Sequence, residues 1–168
     1  VAATPSGITL APEGGAHQSI ATPLIGIAQD GLAAFEPAFV DELAVIMGWG
    51  FGHMQREGAG EGGSVYLRLS TRTIEQPQRI MTPELQAGIT DGAYWLRKPG
   101  PNCDLAIAYT GAVAPEAIEA TGLIGESRRD VGLLAVTSAD RLHAGWTAAR
   151  RQRRDRGVPQ LSPVEKLL

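Results

Sequence analysis

The chain has 168 residues and a formal net charge of −3, so neither nucleic acid nor a membrane surface attracts it by bulk charge. At this length a chain buries roughly two-thirds of its unfolded surface and needs no covalent staple. Cys103 is the single cysteine, which excludes an internal disulfide and fits a reducing, cytoplasmic setting. His17, His53 and His143 lie too far apart for a zinc spacing, and no apolar run approaches the ~20 residues of a membrane span. Val1 to Ser6 lack the basic-then-apolar pattern of a signal peptide.

In chain order, Gly7 to Leu10 reads as a short strand. It runs into Ala11-Pro12-Glu13-Gly14-Gly15-Ala16-His17-Gln18-Ser19, a turn rich in small residues that ends on an imidazole. Paired glycines permit positive φ and close approach by another molecule. The stretch therefore reads either as a glycine loop with a surface histidine or as a device delivering a proton-transfer group to a sheet edge. Gln18 to Ala28 is expected to be helical, distorted at Pro23. Leu32 to Phe35 is a strand. Pro37 is expected in the first turn of a helix of about five turns, with Asp41 and Glu42 near its start and Val40, Leu43, Met47, Phe51 and Met54 as its apolar stripe. Trp49 and Phe51 are expected in the core or at an interface.

Gly58-Ala59-Gly60-Glu61-Gly62-Gly63 matches G-x-G-x-x-G, but a helix precedes it and a strand follows. A dinucleotide loop needs the reverse order, so the stretch reads as a connection. Ser64 to Ser70 alternates as a strand. Arg72, just past its end, is either an anion contact at the carboxyl end of the sheet or a solvated arginine.

Residues 71–91 are polar and contain Pro77 and Pro83, the composition of a connection between domains, with 77–91 as the linker proper. A second α/β unit follows. Ala93 to Arg97 is a strand and Pro99 to Asn102 a turn. Leu105 to Tyr109 is an apolar strand of the type buried on both faces. A helix begins near Pro115, Val131 to Val136 is the next buried strand, and Ser138 caps a helix carrying Leu142 and Trp146. Arg150, Arg151, Arg153, Arg154 and Arg156 crowd the end of that helix. They fit a solvated face favoured by the helix dipole better than a nucleic-acid contact. Leu161 to Leu168 has the pattern of a further helix.

Several of these stretches together resemble one enzyme family. Glu13-Gly14-Gly15-Ala16-His17-Gln18 is similar to the Asp-Gly-Pro-Thr-His-Gln loop of transketolases. It is closer to the Glu-Gly-Gly-Thr-His-Gln form of transketolase-like, homodimeric decarboxylating components of bacterial pyruvate dehydrogenase. Phe35 to Leu43, Gly63 to Arg72, Gly92 to Arg97 and Leu134 to Leu142 follow in the family's order.

The resemblance implies an α/β fold of parallel sheets with flanking helices, made of parts of two domains. Residues 1–76 would be the C-terminal part of a pyrimidine-binding domain, 77–91 a linker, and 92–168 an incomplete transketolase C-terminal domain. It implies a fragment of a larger, cytoplasmic enzyme using thiamin diphosphate and magnesium, inactive alone, because the family's Gly-Asp-Gly…Asn motif and its activating acid have no counterpart here. His17 would be catalytic, handling a proton or hydrogen bond at the substrate carbonyl oxygen. Glu13, Gln18 and Arg72 would bind substrate. Arg72 stands in Leu69-Ser70-Thr71-Arg72, one residue longer than the family's Leu-Ser-Arg, a register that suits a substrate without phosphate.

The implied reaction is oxidative decarboxylation of a 2-oxo acid such as pyruvate, with the acyl group passed to a lipoyl acyltransferase and a homodimer as the assembly. Two-carbon transfer between sugar phosphates by a transketolase is the alternative. A non-catalytic α/β module, binding a partner through an open sheet edge or the arginine-rich helix, is the third.

Overall fold

The computed structural model describes residues 2–3, 21, 24–29, 31–56, 63–127 and 130–168. Two three-stranded sheets organise them. The first has the order β1-β3-β2, with β1 Ala2–Ala3, β2 Leu32–Phe35 and β3 Ser64–Arg68 all parallel. The second has the order β4-β6-β5, with β4 Ala93–Arg97, β5 Ala106–Tyr109 and β6 Gly132–Val136. Helices α1 Ile25–Ala28, α2 Val40–Met54, α3 Pro83–Asp91, α4 Ala114–Gly125, α5 Ala139–Arg156 and α6 Pro163–Leu167 flank them. The class is α/β, as expected. The strand expected at Gly7 to Leu10, and the part of the first helix before Leu24, lie outside the described residues apart from Ala21.

β5 and β6 are parallel neighbours joined through α4. β4 pairs antiparallel to β6. The link of residues 98–105 is too short for a parallel crossover, which takes a dozen residues or more, so β5 has to run opposite to β4. β5 also departs from expectation in burial. It lies at the sheet edge and only Tyr109 is buried, whereas the central β6 buries Gly132, Leu133 and Ala135. An apolar run shows that a strand is hydrophobic without saying which strand is central.

α2 begins at Val40, not at Pro37, and its 15 residues make about four turns. The start is set by Glu42, whose carboxylate reaches back to accept from the backbone N–H groups of Ala38 (2.7 Å) and Phe39 (3.1 Å). Its buried face carries Ile46 and Gly50, with Val45 and Trp49 packed against the core. Of the apolar stripe, Val40, Met47, Phe51 and Met54 are exposed and Leu43 is half-buried. Trp49 meets Phe35 edge-on at 5.4 Å, while Phe51 is 53 % exposed.

The segment 77–91, expected to be a linker, holds α3. Thr82 Oγ1 accepts from Leu85 N (3.3 Å), Pro83 opens the helix, and Gly92, at φ 116°, ends it. Pro83 is thus a helix starter and not a breaker. Ile89 from α3 is fully buried in a core that runs without interruption from Phe35, Ile46 and Val65 to Tyr94, Leu133 and Ala135. Ser138 caps α5 as expected, its Oγ accepting from Arg141 N at 3.1 Å. Among the described residues no helix is long and apolar enough to cross a membrane.

A polar cluster crosses between the two sheets. Glu42 is 1 % exposed, and Tyr94 Oη, from β4, donates to its Oε1 in a short hydrogen bond. Arg79 donates to Tyr94 Oη (2.6 Å) and grips Asp41 with two bonds, Nε to Oδ2 (2.6 Å) and Nη2 to Oδ1 (2.7 Å). Its guanidinium lies over the rings of Phe39 and Tyr94 at 5.4 and 5.1 Å. Burial, reinforced by the Glu42 charge, holds the Tyr94 hydroxyl far above its ordinary range, which keeps it a donor. Burial pushes Asp41 up, but the bonds from Arg79 outweigh it and hold the carboxyl below its usual value.

Replacing Glu42 by alanine leaves Tyr94 Oη and two backbone N–H groups without their acceptor. The variant is expected to lose about 3 kcal/mol of unfolding free energy in urea titrations, against about 0.5 kcal/mol or less for the exposed Val40→Ala. Because the folded pKa of Asp41 is depressed, its contribution is complete above the unfolded value and is lost as pH falls through the lower folded value. Asp41→Asn is therefore expected to flatten the acid limb of a stability–pH curve below about pH 4, an outcome read from melting temperatures at stepped pH.

Candidate functional site

Open parallel sheets collect ligands outside the carboxyl ends of their strands, and here the carboxyl ends of the two sheets meet. Glu36, just past β2, donates its N–H to Thr137 O, just past β6, at 2.8 Å. Ser138 Oγ donates to Ala34 O at 2.5 Å, and Asp140 Oδ2 accepts from Ala34 N at 3.0 Å. β2 is therefore stitched to the start of α5 by its backbone, which fixes the spacing of the two strand ends.

At this junction Arg68, the last residue of β3, donates from Nη1 to both Glu36 carboxylate oxygens at 2.9 Å. The side chains are only 15 % and 18 % exposed. Gly111, past the end of β5, packs against the pair. It has φ 53°, and a Cβ there would stand 2.6 Å from Glu36 Cγ. Only glycine satisfies both the backbone and the space. A hollow of about 90 Å³ remains, lined in part by Glu36, Tyr66, Arg68, Thr110 and Ser138. That volume admits a few waters and no substrate.

Of the residues expected to carry chemistry, His17, Glu13 and Gln18 lie outside the described residues. Arg72 is described, and it bridges the two halves. Nη1 donates to Ala112 O (2.9 Å) and to Glu116 Oε2 (2.9 Å), and Nη2 lies 2.6 Å from Glu116 Oε1. The Arg72 hydrogen bond holds the Glu116 carboxyl below its usual range. In this arrangement the Arg72 guanidinium is taken up by α4 and by the turn before it. Among the described residues, no cluster of three or more His, Cys, Asp or Glu side chains could hold a metal ion, so no magnesium or diphosphate ligand is assigned here.

Sequence reading missed the Glu36–Arg68 pair and the Gly111 that backs it. One signal was available. Glu36 and Arg68 each stand at the end of a strand run, the place where a parallel sheet gathers charged side chains.

Comparison with solved structures identifies the fold. A transketolase from Pichia stipitis superposes with TM-score 0.68 at 18 % identity, covering 83 % of this chain and 19 % of that one. Transketolase from Leishmania mexicana gives 0.66 at 17 %, covering 87 % and 20 %. A Pichia stipitis transketolase in complex with sedoheptulose 7-phosphate gives 0.59 at 18 %, covering 77 % and 17 %. The chain thus has the fold of transketolase domains and spans about a fifth of the length of those enzymes. No family model matches it, and no curated protein does.

Alanine at Gly157, where φ is 63° and the space is open, is expected to cost about 1 kcal/mol of stability from backbone strain alone. Alanine at Gly111 adds displacement of Glu36 to that strain and is expected to cost clearly more. Parallel urea titrations of the two variants measure the difference. Equal losses would mean that the Glu36–Arg68 pair tolerates the intrusion.

Proposed function

We propose that this chain is a portion of a thiamin-diphosphate enzyme of the transketolase type. Residues 1–76 would be the end of its pyrimidine-binding domain and residues 92–168 the start of its C-terminal domain. The observation that carries this reading is the likeness of fold to transketolases over most of the chain. The Glu13-Gly14-Gly15-Ala16-His17-Gln18 loop, similar to the transketolase substrate loop, supports it from the sequence.

When bound, thiamin diphosphate supplies a thiazolium carbanion that adds to a carbonyl group. The contribution of this chain is at the substrate. The His17 imidazole would donate a hydrogen bond or proton to the substrate carbonyl oxygen as negative charge develops there. Glu13 and Gln18 orient the substrate from either side of the histidine. The intact enzyme, in this reading, moves two-carbon units between sugar phosphates.

A second reading is favoured by Arg72. Its guanidinium is already paired with Glu116 and the Ala112 carbonyl, an arrangement that leaves less of it for a sugar phosphate and suits a substrate without one. The glutamate and paired glycines of the loop agree. The enzyme would then be the decarboxylating component of a pyruvate dehydrogenase, handing an acetyl group to a lipoyl acyltransferase in the cytoplasm. In both readings it is a homodimer, and the exposed apolar stripe of α2, with Met47, Phe51 and Met54, belongs to its buried surface.

Turnover by the intact protein, supplied with thiamin diphosphate and magnesium, separates the readings: sugar phosphates for the first, unphosphorylated pyruvate with an artificial electron acceptor for the second. Turnover of neither would sink both. His17→Ala is expected to lower kcat at least about tenfold while leaving cofactor affinity unchanged. Unimpaired turnover in that variant removes the histidine from the mechanism.

A further inference from the structure

Away from the strand carboxyl ends lies a larger opening. A cleft of about 490 Å³ runs between the start of β2, the end of α2 and one face of α5, a volume in the range of small-molecule sites. Three α5 side chains line it at a spacing of four: His143, Thr147 and Arg151. Residues four apart share a helix face, each about 6 Å further along the axis. All three carry hydrogen-bond donors, and none bonds to another described residue. Ala144 and Ala148 between them have small side chains, which leaves room, and Gly145 lets Pro163 pack close to the helix.

A second observation is independent of α5. His53, on the facing wall, has a buried Nδ1 with no partner among the described residues. Its ring is stacked on Trp49 at 4.6 Å.

The charges around the cleft favour an anion at the Arg151 end. Two carboxylates face it, and both are engaged. Asp140 accepts from Ala34 N, and Asp91 lies 3.9 Å from the Arg141 guanidinium. Arg141 is itself held by Thr90 O and by the face of Trp49, 4.5 Å away. Arg150 and Arg154 are taken up by the Trp146 ring and by Asp155, while the Arg151 guanidinium beside them has no carboxylate partner among the described residues. A planar fork of donors of this kind fits the oxygens of a phosphate, and threonine and histidine one and two turns back fit a second phosphoryl group along the same line.

We propose that this cleft binds a small metabolite carrying phosphoryl groups, with Arg151 as the main anchor and Thr147 and His143 as further donors. The proposal does not depend on the catalytic reading above.

Titration calorimetry of the full chain with inorganic pyrophosphate tests it. Saturable binding with a Kd below about 1 mM is expected. Arg151→Gln and Thr147→Val are each expected to weaken it at least about tenfold. Arg156→Gln, which removes the same charge from the same helix outside the cleft, is expected to change it less than about twofold. Absence of saturable binding overturns the proposal. So does an equal loss in Arg151→Gln and Arg156→Gln, which would reduce the effect to the general charge of the helix.

Discussion

The fold depends on one buried carboxylate. Glu42 closes the first turn of α2 by accepting from two backbone N–H groups, and it also receives the Tyr94 hydroxyl from the other sheet. Arg79, on the segment between the sheets, supports the tyrosine and pairs with the neighbouring Asp41. A helix cap and a contact between sheets therefore share one side chain. A buried acid is tolerated only when its lone pairs are satisfied. The requirement runs both ways: the acid needs the tyrosine, and the second sheet must sit where the tyrosine can reach it.

From this anchor the rest of the junction follows. With α2 and β4 held together, the end of β2 meets the end of β6. The backbone bonds of Ala34 and Glu36 to Asp140, Ser138 and Thr137 then become possible. The Glu36–Arg68 pair and Gly111 fill the seam, and Arg72 crosses it to α4. In open α/β sheets the crevice beyond the strand ends is where chemistry is carried out. Here the strand ends of both halves meet in one hydrogen-bonded seam.

How much of this was legible in the sequence depended on range. β2, the Ser138 cap of α5 and the existence of α2 were readable because their signals lie within one or two turns of chain. The facing of α2 was not. Ile46 and Trp49 on one side are as apolar as Met47 and Phe51 on the other, and only the partner elements decide which side is covered. Pro83 was ambiguous for a related reason, since a proline that interrupts a helix and one that opens it look alike until Thr82 is seen as its cap. Glu42, Arg79 and Tyr94 could not have been grouped at all, being brought together by the fold across as many as 52 positions. At the strand ends, the resemblance pointed to a histidine loop and an arginine, while the geometry added a glutamate–arginine pair that no short motif announces.

The outward face of α2 has one more consequence. A helix oily on both flanks has nothing to gain by showing either to water. Its sulfur-bearing and aromatic side chains, Met47, Phe51 and Met54, border a shallow furrow against Val65 and Leu67. Methionine flanks of this kind mould themselves to whatever touches them. Whatever buries that furrow would recover the free energy that these side chains now give up to water.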